Sequence, residues 1–474
     1  MNAPLRTTAA ALLLLAALLS PREGLAKVSR SALRPGGDFG SSVAVGADGT
    51  VHVLYLSRAR RLRHAWIQRG RRYDEAVDTI SDAVYRNSSA VDSQGRVHVA
   101  YDADRTGLGG EGTLVHAVRD ESGWTLTELG PGGQAPSLAI GAGDLPRILN
   151  VGPSSTQYLS FNGSTWDVED VGIFAHGIMG TSLVLDAQGH AHATLGLNTQ
   201  LFYATDASGS WVGTPLDSGG ASAAVALDPL GRPQVLAAYF SGVAVPSLRH
   251  FRDEGSGFQG EVLFDSTTGA IPDRVALAPD GKGGLFALVS LTVIAPGRSV
   301  EAVLGTFFDG FTWRGKGIDL RDRGFEVSVA RGPDGSYHGT YRDPVGGLQS
   351  QVIYTRIRLP DLEATWDEVD VVPVGAARTL EGTLRLRNAG PAASKPVRVS
   401  FFLSGDDVLD PADERLDADL RVGSIRPGRE RTVPVSLGPL LAPPGTRVLV
   451  VVDADVRIPD TNRLDDILVV PAFE

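Results

Sequence analysis

One motif recurs seven times between residues 42 and 341, and it limits the possible folds more than any other feature of the chain. SVAVGADGTVHVLY (Ser42 to Tyr55) aligns with SSAVDSQGRVHVAY (Ser88 to Tyr101), SLAIGAGDLPRILN (Ser137 to Asn150) and SLVLDAQGHAHATL (Ser182 to Leu195). AAVALDPLGRPQVLAAY (Ala223 to Tyr239), RVALAPDGKGGLFAL (Arg274 to Leu288) and SVARGPDGSYHGTY (Ser328 to Tyr341) continue the series. A unit that cannot bury its apolar face alone must stack on its neighbours, so a period of this length implies a repeat architecture.

Each copy holds two short alternating apolar strands around an Asp/Gly turn such as Asp48-Gly49 or Asp334-Gly335, where glycine supplies a positive φ at little cost. A third strand follows at LRHAW (Leu62 to Trp66), LVHAV (Leu114 to Val118), LFYAT (Leu201 to Thr205), LRHF (Leu248 to Phe251) and VIYTR (Val352 to Arg356). A fourth opens at Trp124, Trp166, Trp211, Phe258 and Trp313. Four strands per unit predict an all-β chain with a seven-bladed β-propeller over residues 27–359. The seventh copy stops after its third strand, while Lys27 to Leu33 is a strand without a unit. The N-terminal strand is therefore expected to complete the last blade, which closes the ring and removes its exposed edges.

Such closure has to be non-covalent, because the chain has no cysteine. The same absence excludes disulfides, thiolate zinc sites and cysteine nucleophiles. A net charge of -11, with no basic patch, argues against nucleic-acid partners. Met1 to Ala26 reads as a secretory signal, with Arg6, an Ala/Leu run from Ala9 to Leu19 and small residues at Gly24-Leu25-Ala26. The run is shorter than the ~20 apolar residues a spanning helix needs, so an exported chain without a transmembrane segment is expected, extracellular or periplasmic.

From Pro360 the pattern changes to longer alternating strands, at Arg378 to Asn388, Lys395 to Ser404, Arg431 to Leu437 and Thr446 to Asp455. Residues 360–474 are predicted to form an Ig-like β-sandwich. Pro360-Asp361-Leu362, Asn388-Ala389-Gly390, FFLSGDDVLDPADERL (Phe401 to Leu416), Pro443-Pro444-Gly445-Thr446 and DADVRIPDTNRLDD (Asp453 to Asp466) resemble the bacterial cell-adhesion-related domain, CARDB. Asp465-Asp466 stands where that family has an Asn pair. The resemblance implies an extracellular accessory or adhesion module and brings no catalytic residue. NGSTW (Asn162 to Trp166) and DGFTW (Asp309 to Trp313) are weakly similar to the Asp-box turns of sialidase-like propellers, which shape loops and do not establish hydrolysis.

Candidate chemistry is sparse. His52, His98, His192 and His338 share one slot of the second strand, and His64, His116 and His250 share one slot of the third. Recurrence blade after blade points to packing, since a catalytic histidine is needed once. His176 and His190 fall outside this register. The innermost strands begin with small residues at Ser42, Ser88, Ser137, Ser182 and Ser222, whereas Asp273-Arg274 and Glu326 put charge at that place and Asp38 precedes the first copy. If Asp38, Asp273, Arg274 and Glu326 converge at one mouth of the channel, they form a site for a polar ligand or a cation; solvated charges or a local ion pair are the competing reading. The acidic run containing Asp406, Asp407, Asp410 and Asp413 is a candidate calcium site, although it lacks the D-x-D-x-D-G order; a solvated acidic loop is the competing reading.

These features predict a secreted, non-enzymatic binding or adhesion protein that presents a loop-built propeller face to a cell-surface glycan or protein. A secreted glycan hydrolase or lyase working at the propeller mouth is the second reading. A structural unit of a surface assembly is the third.

Overall fold

The structure is a computed structural model that describes residues 27–471 apart from 37–39, 80–82, 105–111, 134, 153, 174–177, 198, 242, 244, 296–297, 309–312, 320–324, 347–348, 408, 410–411 and 454–466. The signal-like segment Met1 to Ala26, together with Asp38, His176, Asp410 and the Asp465-Asp466 pair, lies outside the described residues. The chain is all-β: strands linked by turns, with two short 3-10 turns among the described residues at Ala142–Asp144 and Ser266–Thr268. Among the described residues no helix is long and apolar enough to cross a membrane.

Seven antiparallel four-stranded sheets come first among the described residues. Their innermost strands are Ser42–Val45, Ala83–Val91, Ser137–Gly141, Ile178–Leu185, Gly220–Leu227, Ala270–Pro279 and Phe325–Arg331. Each touches the next, and the seventh touches the first, so the sheets follow one another around a ring. The N-terminal strand Lys27–Gly36 pairs antiparallel with Gln349–Arg358 and forms the outermost strand of the last sheet. The orphan strand at the start of the chain and the missing strand at the end of the repeat thus complete one another.

The repeat's chemistry explains this local structure. In the hairpin of the second sheet, Asp92 Oδ1 accepts from the backbone N–H groups of Gln94 and Arg96 at 3.0 and 2.8 Å, while Gly95 takes a φ of 79°. Asp228 does the same for Leu230 and Arg232, and Asp280 for Lys282 and Gly284. An aspartate that satisfies two turn amides, with a glycine in the left-handed region, fixes the hairpin register. The alternating strands then place apolar side chains between neighbouring sheets. Leu54, Val99 and Tyr101 fill the first such layer, Phe286, Tyr337 and Ile357 the last but one, and Val53, Tyr55 and Val352 the layer that joins the seventh sheet to the first. Each fully buried leucine or valine contributes roughly 1.5–3 kcal/mol.

A sandwich follows. Leu362–Val374, Ala377–Asn388 and Glu430–Leu440 form one sheet. Val397–Ser404, Arg447–Val452 and Ile467–Pro471 form the other, with the short strands Glu414–Arg415 and Leu420–Val422 also paired to Val397–Ser404. Leu380, Leu384, Leu386, Phe401, Val448 and Val450 build the core between them. Leu362–Val374 is an additional strand, hidden in the sequence by charged residues and by a bulge between Trp366 and Glu368 that breaks its alternation. The Asn388-Ala389-Gly390 motif also gains a physical reason. Buried Asn388 accepts from the amides of Asp361 and Gly390 and donates to the carbonyls of Ala392 and Ile425, using its whole amide. At Gly390 a Cβ would lie 2.4 Å from the Asp361 nitrogen, so only glycine fits. Lys282, on a hairpin of the sixth sheet, reaches Asp361 at 3.0 Å and Glu363 at 2.7 Å, which ties the ring to the start of the sandwich.

Candidate functional site

Four innermost strands carry a bulge near their first residues; the one in the fourth sheet, between Ile178 and Gly180, carries no charged residue, and the other three do. In the second sheet the register shifts between Val84 and Asn87, in the sixth between Pro272 and Arg274, and in the seventh between Phe325 and Ser328. A bulge sets two residues against one and re-aims a side chain out of the pleat. Arg86, Asp273 and Glu326 lie within these three bulges, and Arg274 directly follows one. Glu326 is itself in the left-handed region, at φ 51°, a conformation that a non-glycine residue adopts only where its surroundings impose it.

The charged side chains converge. Arg274 Nε stands 3.8 Å from Glu326 Oε1, and Arg86 Nη2 stands 3.9 Å from the same oxygen. Arg274 Nη1 is 3.2 Å from Asp273 Oδ1, and the guanidinium carbon of Arg274 lies 5.1 Å from the Phe240 ring centroid. Arg274 and Glu326 are only 20% and 19% exposed. Burial pushes the Asp273 carboxyl up, opposed by Arg274 and reinforced by Glu326; burial likewise pulls Arg86 down, opposed by Glu326. Arg274 Nε is buried and has no hydrogen-bond acceptor among the described residues. Arg86, Asn87, Arg274 and Glu326 line a cavity of about 300 Å³ at the centre of the ring.

Of the four candidate ligand-binding residues, the structure thus brings Asp273, Arg274 and Glu326 together, while Asp38 is outside the described residues. Arg86 belongs with them and was missed. Its signal was present in Arg86-Asn87, directly before Ser88, but the repeat slot itself holds the usual serine.

The serines of the innermost strands do more than line a channel, and not all of them begin their strands. Ser88 Oγ accepts from the Leu138 amide, Ser182 Oγ from the Val225 amide and Ser328 Oγ from the Val43 amide, each crossing to the next sheet. Ser42 Oγ donates to Asn87 Oδ1 at 2.6 Å, and Asn87 Nδ2 donates to the Gly40 carbonyl. These bonds stitch the sheets around the cavity and fix the strands that carry the charges.

The in-register histidines sit far down the sheets as buried pairs. His52 Nδ1 meets His64 Nε2 at 2.9 Å, and His64 Nδ1 meets Glu75 Oε1 at 3.1 Å. A carboxylate only accepts, so His64 donates to Glu75 and His52 donates to His64. His98 pairs with His116 at 3.1 Å, His192 with Tyr203 at 2.5 Å, and His338 with Tyr354 at 2.7 Å. In the fifth sheet Gln234 takes the second-strand slot and meets His250. His64, His116 and His250 lie edge-on to Trp124, Trp166 and Trp313, the aromatic residues that open the fourth strand of the following sheet. Burial lowers all seven; His52 and His116 fall to about 3 and His338 to about 4. His190, out of register, contacts Asp186 in its own turn.

The acidic run spreads its charges among cations. Asp407 meets Arg447 at 2.6 Å, and Asp419 meets Arg415 and Arg398. Asp406 contacts Ser404. Among the described residues, which leave out Asp410, no group of three or more His, Asp or Glu side chains is gathered as a metal would require.

No curated protein matches the chain. Among solved structures, SapL1 lectin in complex with alpha methyl fucoside is similar at 13% identity and a TM-score of 0.41, covering 61% of this chain and 99% of that one. The fucose-specific lectin from Aleuria aurantia is similar at 14% identity and a TM-score of 0.36, covering 47% and 77%. Virginiamycin B lyase from Staphylococcus aureus is similar at 10% identity and a TM-score of 0.43, covering 70% and 99%. Two binding proteins and a lyase at such distances leave the chemistry of this chain to its own side chains. Beyond the ring, residues 359–469 match the family model of CARDB.

Proposed function

We propose that the chain is an exported carbohydrate-binding protein of the adhesion type: a seven-bladed propeller over residues 27–359, each four-stranded sheet being one blade, followed by a CARDB-type sandwich over residues 360–474. The propeller takes a cell-surface glycan at its channel mouth, and the sandwich spaces it from, or attaches it to, a surface. One observation carries this reading: bulges on three innermost strands turn Arg86, Asp273 and Glu326 toward Arg274 at a central cavity whose other strands offer serine. Charged donors and acceptors set in a concave site are the usual means of fixing a polar ligand.

A catalytic reading has its own support, because Asp273 is pushed up by burial close to a second carboxylate, Glu326. One experiment separates the two. The full chain is passed over an immobilised panel of bacterial and host glycans, with Arg274→Met in parallel, and both retention and released fragments are scored. Retention without fragments, lost in the variant, is the expected result. Released fragments overturn the non-enzymatic reading, and retention that survives Arg274→Met places binding elsewhere.

A further inference from the structure

Building on that carbohydrate reading, we infer that the mouth selects a neutral pyranose through a pair of adjacent hydroxyls that bridge Glu326 to Arg274 and to Arg86. Three observations lead there. First, both guanidinium groups approach the same carboxylate oxygen at 3.8 and 3.9 Å, beyond hydrogen-bond reach. A separation of that size between a donor and an acceptor is what a bridging oxygen fills, donating its proton to the carboxylate while accepting from the guanidinium. Two such gaps meet at Glu326 Oε1, so two hydroxyls on neighbouring carbons suit them better than one.

Second, Arg274 Nε is a buried donor with no acceptor among the described residues. An unpaired buried donor costs about 1–3 kcal/mol, and a ligand oxygen is the remedy the geometry leaves open. Third, the formal charges of Arg86, Arg274, Asp273 and Glu326 cancel. A carboxylate on the ligand would face Glu326 across the same gap, so the site gives an anionic sugar no advantage and sets one carboxylate against it. The cavity of about 300 Å³ lies at the lower end of small-molecule sites, which matches one ring and not a chain enclosed along its length. Asn87, held by Ser42 and Gly40, fixes the strand beside Arg86 and keeps the bridge geometry rigid.

The test uses the full chain with methyl mannoside, galactoside and glucoside, their deoxy analogues that lack one hydroxyl of a vicinal pair, and the corresponding methyl uronates, measured by calorimetry and saturation-transfer NMR. At least one neutral glycoside is expected to bind, its deoxy analogue at least tenfold more weakly, and its uronate more weakly as well. Arg274→Met, checked for an unchanged melting curve, is expected to lose the preference between glycoside and deoxy analogue; the ligand series on the unaltered chain needs no variant at all. Equal affinity for glycoside and deoxy analogue, or tighter binding of the uronate, overturns the bridged-diol inference while leaving glycan binding in place. No retention of any glycoside, uronate or panel glycan overturns the carbohydrate reading itself.

Discussion

Lowering the pH from 7 to 5 should loosen the ring while every carboxylate of ordinary pKa stays ionised. The cause is the set of buried histidines. Each has a folded pKa below its unfolded value of about 6.5, so the unfolded chain takes up protons first. The stability they permit is intact above pH 6.5 and falls as pH drops toward the folded values, about 3 for His52 and His116 and about 4 for His338. At pH 5 each of these three favours the unfolded state by about 2 kcal/mol, or roughly 6 kcal/mol together. His64, His98, His192 and His250 act in the same direction. Asp102 opposes them, because burial and then Asp104 push its carboxyl up to about 7. Over this interval it returns about 2 kcal/mol, and Asp273 and Asp280, also pushed up by burial, act in its direction against the four remaining histidines, which leaves a net loss of about 4 kcal/mol. Urea unfolding of the full chain at pH 7 and pH 5 measures this, with tryptophan fluorescence as the probe, since Trp124, Trp166 and Trp313 contact the histidines directly. His116→Gln retains a polar partner for His98 and should shrink the pH dependence by about 2 kcal/mol. Equal urea midpoints at the two pH values, or an unchanged slope in His116→Gln, would refute the reasoning.

Other outcomes follow from the same contacts. Deleting residues 27–36 strips the last sheet of its outer strand and exposes the edge at Gln349–Arg358; a lower melting temperature and self-association on size exclusion are expected, and a monomer that melts like the full chain would contradict the role of that strand. Asn388→Ala leaves buried amides and carbonyls of the sandwich without partners and should cost about 3 kcal/mol or more in the unfolding of that unit; a loss below 1 kcal/mol would mean that water replaces the side chain.

The ring was largely legible because its determinants are local. Alternation, the Asp/Gly turns and the slots shared by His52 and His98, or by His64 and His116, all lie within one repeat unit. The pairing between those two slots follows from a hairpin register that the turn itself sets. Asp273, Arg274 and Glu326 were visible as departures from a serine slot. Arg86 was not, because a bulge decouples sequence position from direction, and no periodic pattern records where a bulge will fall. The acidic run shows a related limit of local reading. Arg447, which pairs with Asp407, lies on another strand of the sandwich, so the neutralisation is absent from the local sequence. Strand Leu362–Val374 was overlooked because it faces solvent along much of its length and carries charges where a buried strand would carry valines.

The pairing of Lys27–Gly36 with Gln349–Arg358 also dictates an order of events. The first part of the ring to leave the ribosome is among the last to find its place, since its partner strand is the final piece of the repeat to be made. Until then every nascent intermediate has two open edges, and the sheets already formed can stack in line but cannot meet end to end. The loop that must close is as long as the ring itself, so the clasp forms late and slowly compared with any single hairpin. A chain interrupted before Gln349 would keep its hairpins and lose its circle, leaving a string of sheets that can recruit a neighbour's strand in place of its own.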